Sequence, residues 1–194
     1  MPDVVPAKTH RVCPWWIGYL LASPLRRVFQ DPSDVFAGQV RPGMTVLEPG
    51  PGMGFFTVEL ARQVGPAGRV IAVDIQPRML DGLKRRAAKA GVLDRLDVRL
   101  AHPDSMGIAD LAGRVDLTLA CAVVHELPAA APFFREVADV SKPGARLLLV
   151  EPSGHVPAAL FDSEVQAALA SGFEVEDEPR LRGNRTALLV KLAE

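Results

Sequence analysis

The alternation of short β-branched apolar runs with longer amphipathic stretches, from residue 42 onward, constrains the fold of this chain most strongly. Runs of this kind predict buried parallel strands, and the stretches between them predict helices that cover both faces of a sheet. The predicted fold is therefore α/β and doubly wound. The five strands of this pattern are predicted at residues 44–48, 70–74, 98–101, 115–120 and 146–150. Helices are predicted at residues 55–64, 77–91 and 132–140.

The C-terminal end departs from this repeat. After a predicted helix at residues 158–170, two strands at 172–176 and 186–190 are separated by a segment that contains the turn-forming pair Gly183-Asn184. Strands joined this closely must be antiparallel, because a parallel crossover needs a dozen residues or more. We therefore expect a mostly parallel, seven-stranded sheet that ends in an antiparallel hairpin. Residues 1–41, rich in Pro, Trp and Leu, fit no strand–helix unit and are predicted to be a separate segment before the main domain, residues 42–194.

Composition and charge exclude several classes of protein. The formal net charge of −1 gives no basic excess for binding nucleic acid. Cys13 and Cys121 are the only cysteines and lie far apart, which argues against a disulfide framework and favours the cytoplasm. The longest apolar run, residues 15–22, is less than half the length of a membrane span, so no stable membrane insertion is expected. A signal peptide is the alternative, because basic residues precede that run, but its paired tryptophans are poor material for a signal core.

The segment VLEPGPGMGFFT, residues 46–57, joins the first predicted strand to the first predicted helix through three glycines. In a doubly wound sheet this turn makes the closest approach to a ligand. A dinucleotide fingerprint G-x-G-x-x-G fails, because its third glycine would fall at Phe55 or Thr57. A Walker loop also fails, because no lysine follows the last glycine. The loop therefore shows no phosphate cradle.

Two carboxylates at strand ends suggest another ligand. Glu48, beside the glycines, would repel pyrophosphate and favour a cationic group. Asp74 ends the second strand, where adenosine-binding units accept hydrogen bonds from ribose hydroxyls. Adenosine with a positive charge and no phosphate describes S-adenosylmethionine. The alternative is that both acids only cap strand ends.

Four segments in order carry a family resemblance: VLEPGPGMGFFT, VIAVD at 70–74, VDLTLACAVVHEL at 115–127 and KPGARLLLVEP at 142–152. Together they resemble the class I S-adenosylmethionine-dependent methyltransferases of the small-molecule type, which include the ubiquinone/menaquinone methyltransferases. The resemblance covers roughly residues 42–192. It implies a Rossmann-like sheet, S-adenosylmethionine as cofactor and methyltransferase activity.

The same resemblance implies a cofactor site. The glycines would approach the methionine part, with Glu48 orienting their loop, and Asp74 would bind the ribose hydroxyls. Asp104 best matches the acid that meets the adenine amino group in the family, although His102-Pro103 departs from the usual pattern there. Ile75 would flank adenine, and the backbone at the end of the fourth strand would meet the ligand's amino group. The implied set is Glu48, Gly50, Gly52, Gly54, Asp74, Ile75, Asp104, Ala120 and Cys121.

Methyl transfer from a sulfonium is an in-line displacement that needs alignment above all, and a base only if the acceptor must lose a proton. His125, after the fourth strand, faces the transferred methyl in this fold and titrates near neutrality, so it is the predicted base. Its alternative role is to shape the pocket or cap the next helix. Glu126, Glu151 and His155 lie at the same end of the sheet and are predicted substrate contacts. No metal is expected.

The N-terminal segment HRVCPWWIGYLL, residues 10–21, precedes the predicted sheet. In related methyltransferases such a segment folds over cofactor and substrate, so we predict a helical lid in which Trp15, Trp16 and Tyr19 contact the substrate. The alternatives are that these residues only dock an extra helix, or that they touch a membrane surface. Cys13 on the lid and Cys121 suggest a thiol or arsenite-like soft acceptor as a further alternative; inert packing is the other explanation.

The sequence therefore predicts a cytoplasmic S-adenosylmethionine-dependent methyltransferase that acts on a small, apolar or aromatic acceptor by direct transfer. Nucleic acid is not an expected partner, because the charge is near neutral and the loop after the fourth strand lacks the N/D-P-P-Y/F/W pattern of base methyltransferases. The rival hypothesis is a non-catalytic, methyltransferase-like binding or regulatory module. A nicotinamide-dependent oxidoreductase is disfavoured by the absent G-x-G-x-x-G.

Overall fold

The computed structural model describes residues 31–193, in which strands and helices alternate as the sequence predicts. The strands are β1 (Thr45–Pro49), β2 (Arg69–Asp74), β3 (Leu96–Leu100), β4 (Val115–Cys121), β5 (Ser141–Pro152), β6 (Phe173–Asp177) and β7 (Asn184–Lys191). The helices are α1 (Pro32–Val35), α2 (Thr57–Val64), α3 (Pro77–Ala90), α4 (Ala130–Val140) and α5 (Ala158–Leu169). Single 3₁₀ turns lie at Leu93–Arg95, Ala109–Leu111 and Val124–Glu126.

The strands form one seven-stranded sheet in the order β3-β2-β1-β4-β5-β7-β6. The first five strands run parallel, and β7 lies antiparallel between β5 and β6. The mostly parallel sheet with an antiparallel hairpin is thus confirmed. From β1 the chain winds outward to β3 and then returns to β4 on the other side of β1. Ligands of doubly wound sheets bind beyond the carboxyl ends of the strands at this point of reversal.

Apolar side chains alternate along the central strands and so build two core layers. Val46 and Val70 face the layer that contains α2, whereas Leu47 and Ile71 face the layer that contains α4 and α5. All four side chains are almost fully buried. Because both faces of the sheet are covered, these strands are near-continuous apolar runs, as parallel strands require.

The structure corrects two predicted boundaries. Helix α2 begins at Thr57, because residues 50–56 form the glycine loop instead of a first helical turn. Strand β5 begins at Ser141, directly after α4, and not at Arg146. Ser141 pairs with Val115, and the register then shifts before Leu117 pairs with Arg146. The Lys-Pro-Gly stretch ends the helix as predicted, but it lies within the irregular first part of the strand.

The end of the predicted lid segment packs on the main domain. Val35 and Phe36 are buried in the layer that contains α2, together with Phe55 and Phe56. Residues 1–30, with Cys13, Trp15, Trp16 and Tyr19, lie outside the described residues, so the lid stays a prediction. Within residues 31–193, no helix combines the length and the apolar character needed to cross a membrane.

Candidate active site

The glycine loop leaves β1 at the centre of the sheet edge where the chain reverses. Gly50, Gly52 and Gly54 all have positive φ angles, of 66°, 53° and 82°. A Cβ atom at Gly50 would lie 2.8 Å from Cγ2 of Val123, so the loop after β4 touches the glycine loop directly. At Gly52, by contrast, a Cβ atom would meet nothing within 4 Å. The loop is therefore tightly supported at its start and open above its middle glycine, where a ligand can approach the backbone.

Glu48 is a buried acid at the end of β1. Its side chain is 3% exposed, and its Oε2 atom has no hydrogen-bond partner within the described part of the chain. Burial raises the pKa of Glu48 to about 8; the nearby Thr57 hydroxyl opposes this increase, and the charge of Asp74 adds to it. An unpaired buried carboxyl group is costly unless a partner arrives. A cationic ligand group would be such a partner.

Asp74 ends β2, the neighbour of β1, and so lies beside the glycine loop. Its Oδ1 atom accepts a hydrogen bond from the backbone N–H of Gln76 at 2.8 Å. Burial raises the pKa of Asp74 to about 6, although the backbone N–H groups of Gln76 and Gly52 oppose this increase. Ile75 follows and is 45% exposed, so a flat ring could cover it; its predicted adenine contact stays a prediction.

Asp104 lies in an exposed turn after β3. A bridge in which the His102 N–H donates to the Ser105 carbonyl oxygen at 2.9 Å closes the turn. The turn is attached to α4 through Glu136, which accepts hydrogen bonds from Ser105 Oγ and from the Met106 N–H. The turn is therefore held in place by its neighbours, whereas the predicted adenine contact of Asp104 stays a prediction.

The loop after β4 carries a strained residue. Ala120 is buried and Cys121 half-buried at the end of this strand. Ala122 then has a positive φ of 54°, and its N–H donates to the Val150 carbonyl oxygen at 2.8 Å. A non-glycine residue in this region costs about 1 kcal/mol or more, and such strain clusters at functional sites. This bend directs the next residues across the end of the sheet.

His125 and Glu151 form a close ionisable pair after β4 and at the end of β5. Nδ1 of His125 lies 2.6 Å from Oε2 of Glu151, whose side chain is completely buried. The other oxygen, Oε1, accepts hydrogen bonds from the backbone N–H groups of Val124 at 2.9 Å and His125 at 3.3 Å. The hydrogen bond with Glu151 raises the pKa of His125 despite partial burial, and the negative charges of Glu151, Glu126 and Glu164 act in the same direction.

Two further residues complete a cluster around this pair. Nε2 of His155 lies 3.2 Å from Nε2 of His125, and the two rings meet nearly edge to face. Glu164, on α5, is 2% exposed, and neither of its oxygens has a hydrogen-bond partner among residues 31–193. Burial raises the pKa of Glu164 to about 7, the charge of Glu151 raises it further, and His125 opposes both. The structure thus brings His125, Glu151 and His155 together as the sequence suggests.

Glu126 lies between the two halves of the site. Its charge raises the pKa of Asp74 on one side and that of His125 on the other. Glu164, by contrast, was missed by the sequence analysis. It lies in a helix with no motif around it, and only its burial in the folded chain distinguishes it from a solvated acid. No group of three or more His, Cys, Asp or Glu side chains in the described ranges is arranged to hold a metal ion.

These residues fit S-adenosylmethionine. The unpaired oxygen of buried Glu48 suits a ligand with positive charge, and the open space at Gly52 lets a ligand reach the loop backbone. Asp74 offers carboxylate oxygens at the position where ribose hydroxyls are bound in this class of sheet. Bound at this edge, S-adenosylmethionine would lie against Glu48, the glycines and Asp74.

The comparisons with known proteins agree with this geometry. The chain matches a family model described as a methyltransferase domain over residues 41–183. It is similar to an arsenite methyltransferase of Halobacterium salinarum, with 33% identity over 64% of this chain and 30% of that protein. It is also similar to a ubiquinone/menaquinone biosynthesis C-methyltransferase of Hydrogenovibrio crunogenus, with 27% identity over 70% of this chain and 49% of that protein. The chain thus spans only a third to a half of these curated relatives.

Among solved structures, a SAM-dependent methyltransferase from Aquifex aeolicus matches with a TM-score of 0.80. The match covers 92% of this chain and 98% of that chain at 23% identity, which establishes a common fold. The family model covers well over half of the chain. The chain therefore belongs to the methyltransferase-domain family and shares its fold with a SAM-dependent methyltransferase.

Proposed function

We propose that this chain transfers a methyl group from S-adenosylmethionine to a small, apolar or aromatic acceptor by direct in-line displacement, and that the pair of His125 and Glu151 holds the proton that the acceptor gives up. The observation that carries this proposal is the Glu151–His125 pair, which lies at the carboxyl ends of β4 and β5 next to the glycine loop. S-adenosylmethionine supplies the methyl group when it is bound at this edge. The residues of the chain then have to align the acceptor and remove its proton.

Glu151 prepares the histidine for this task. Because a carboxylate only accepts hydrogen bonds, Nδ1 of His125 carries the proton of their shared bond, and the lone pair lies on Nε2. The raised pKa of His125 makes it a stronger base. Val123 and Leu127, half-buried on either side of the histidine turn, give this part of the site an apolar character that suits the proposed acceptor.

A soft acceptor, a thiol or an arsenite-like compound, is the second candidate. It is supported by the similarity to a protein named arsenite methyltransferase and by the position of the half-buried Cys121 at the end of β4. The arsenic atom of an arsenite-like compound already has an available lone pair, and a thiol loses its proton more readily than a phenol does. The two acceptor classes therefore differ in how strongly the reaction depends on His125. A cytoplasmic location and independence from nucleic acid remain part of the proposal.

An acceptor screen tests the proposal. The purified full chain is incubated with S-adenosylmethionine and with phenols, quinols, thiols or arsenite, and S-adenosylhomocysteine is measured by chromatography. With a phenol or quinol acceptor, His125→Gln is expected to lower kcat by about 10²–10⁴-fold, the usual contribution of a general base. The affinity for S-adenosylhomocysteine should stay within about twofold of the wild type. Asp162→Asn, at an exposed position of α5, is the matched control and should change neither quantity.

The outcomes separate the rival hypotheses. Binding of S-adenosylhomocysteine without turnover of any acceptor would favour the non-catalytic module. Turnover of arsenite or thiols that does not depend on His125 would favour the soft-acceptor class. A folded protein that binds neither sulfur ligand would refute the function altogether.

A further inference from the structure

Both ring nitrogens of His125 are already engaged. Nδ1 faces Oε2 of Glu151 at 2.6 Å, and Nε2 faces Nε2 of His155 at 3.2 Å. The two imidazole rings cross at 73°, with their centroids 4.9 Å apart. An acceptor molecule therefore finds no free nitrogen on His125 in this arrangement. The question is which atom of the cluster receives the proton.

The donors and acceptors of Glu151, His125 and His155 determine which nitrogen is open to the acceptor's proton. Both oxygens of an ionised carboxylate can only accept hydrogen bonds: Oε1 of Glu151 accepts from the backbone N–H groups of Val124 and His125, and Oε2 accepts from the ring. Nδ1 of His125 thus carries a hydrogen, and Nε2 of the neutral ring is an acceptor. The contact between the two rings then requires that His155 donates from its own Nε2. The lone pair of neutral His155 is left on Nδ1.

The position of His155 makes this nitrogen accessible. His155 is exposed and lies in the loop between β5 and α5, at the same sheet edge as the glycine loop. No hydrogen bond from the described part of the chain occupies its Nδ1. His125, by contrast, retains only 14% of its side-chain exposure. The open nitrogen of the pair therefore belongs to His155.

We propose that His155 is the catalytic residue that takes the acceptor's proton, through Nδ1, and that His125 is a positioning residue that draws the charge inward. The acceptor's proton forms a bond with Nδ1 of His155, whose Nε2–H is then donated to Nε2 of His125. The acceptor keeps the electron pair that bonds the incoming methyl group. This inference rests on the proposed function and places the entry point of the proton at His155. The positive charge ends on His125 beside Glu151.

The charges around His125 favour this direction of transfer. The negative charges of Glu151 from β5, Glu126 from the same 3₁₀ turn and Glu164 from α5 each stabilise the protonated form of the ring. His155, from the loop after β5, contacts the ring through Nε2. A cation is thus more stable on the inner ring, among carboxyl groups, than on the exposed outer ring. When product leaves, the proton can return to His155 and pass to water.

A measurement on the resting protein tests the hydrogen-bond chain without any turnover. Two-bond ¹H–¹⁵N correlation spectra of uniformly ¹⁵N-labelled protein report which nitrogen of each neutral imidazole carries hydrogen. His125→Gln and His155→Gln spectra assign the signals. In the neutral rings, His125 is expected in the Nδ1–H form and His155 in the Nε2–H form. The Nδ1–H form at His155 would overturn the inference, whether or not the chain proves to be an enzyme.

Kinetics test the role of His155 in catalysis. His155→Ala and His155→Gln are compared with the wild type and with Ser153→Ala, an exposed change in the same loop. Both histidine variants are expected to lose about 10²-fold or more in kcat while S-adenosylhomocysteine binding is retained. The Gln side chain still offers an N–H toward His125 but is no base, so a merely structural role would spare this variant. Added imidazole should restore part of the activity of His155→Ala.

Two outcomes would overturn these roles. If His155→Ala is as active as the wild type or more active, the freed Nε2 of His125 is the base and His155 only covers it. If the wild type forms no S-adenosylhomocysteine with any acceptor, the proposed function fails. The spectra still decide the hydrogen-bond chain in that case.

Discussion

The buried acid at the end of β1 makes the stability of this protein depend on pH in a distinctive way. Glu48 is 3% exposed and has an unpaired oxygen, and its pKa is raised from 4.5 to about 8. The folded state therefore holds a proton that the unfolded state has already released. Replacing the residue by Gln removes this titration while keeping the shape of the side chain. We predict that Glu48→Gln becomes progressively more stable than the wild type as the pH rises.

The sign and size of this pH effect follow from the difference in bound protons between the folded and the unfolded state. Below pH 4.5 the carboxyl group is neutral in both states, so titration contributes no difference. Between pH 4.5 and about 8 unfolding releases a proton, and the free energy of unfolding of the wild type falls by about 1.4 kcal/mol per pH unit. Above that range the loss levels off at on the order of 5 kcal/mol, as an upper bound. That is a large share of the stability of a domain of this size.

Urea unfolding followed by circular dichroism measures this effect. The stability difference between Glu48→Gln and the wild type should grow by roughly 4 kcal/mol between about pH 5 and about pH 8 and stay constant beyond. Glu174→Gln, at an exposed position of β6, is the matched control, and its difference from the wild type should not vary with pH. A difference for Glu48→Gln that is the same at all pH values would refute the reasoning.

The ligand should reverse this protonation. A cationic group against Glu48 favours its ionised form, so binding of S-adenosylhomocysteine near pH 7 should release a proton, approaching one per ligand. Calorimetry in phosphate and in Tris, whose ionisation enthalpies differ, gives the number released. Glu48→Gln should release almost none. Equal proton release from both proteins would show that the ligand charge lies elsewhere.

Substitutions at Asp74, in the glycine loop and at Glu164 test the rest of this sheet edge. Asp74→Asn should weaken S-adenosylhomocysteine binding by about tenfold or more, and wild-type affinity should fall as the pH drops through about 6, where Asp74 becomes protonated; calorimetry that shows no change would contradict the ribose contact. Gly50→Ala should destabilise the fold by about 1–3 kcal/mol in urea, because its Cβ atom would press on Val123. Gly52→Ala, where only the positive φ is unfavourable, should destabilise the fold less but abolish ligand binding; equal effects on stability would refute this distinction. Glu164→Leu should raise stability above about pH 7 by about 1–3 kcal/mol, because it removes an unpaired buried carboxyl group whose pKa is raised to about 7; a variant that is less stable than the wild type at pH 9 would show that Glu164 has a partner.

Local signals in the sequence predict that Glu48, the three glycines and Asp74 lie together at one edge of the sheet. The three glycines need positive φ, and the acids at Glu48 and Asp74 each end an apolar run, so their meeting follows from the parallel order of adjacent strands. The hairpin of β6 and β7 was predictable for a similar reason, since a short connection permits only antiparallel pairing. Its place in the sheet, with β7 next to β5, had no such local signal.

The histidine cluster depends on contacts that no local pattern encodes. His125 meets Glu151 because β4 and β5 pair with Cys121 opposite Val150, and a different register would separate the two side chains. Glu164 joins them only because α5 packs against the histidine turn. The start of β5 at Ser141 was missed because Lys-Pro-Gly normally marks a turn, whereas here the strand absorbs it in a register shift.

The order of the strands has a consequence during synthesis on the ribosome. Strand β5, whose side chains Leu147 and Leu149 are buried, finds its second neighbour only in β7, at residues 184–191. Until those residues leave the exit tunnel, the nascent sheet has an apolar, unpaired border. A stop codon before residue 184 would leave this border permanently open, and such a fragment should precipitate or be degraded. Strand β7 is therefore needed to cover β5, although the candidate site residues from Glu48 to Glu164 all precede it in the sequence.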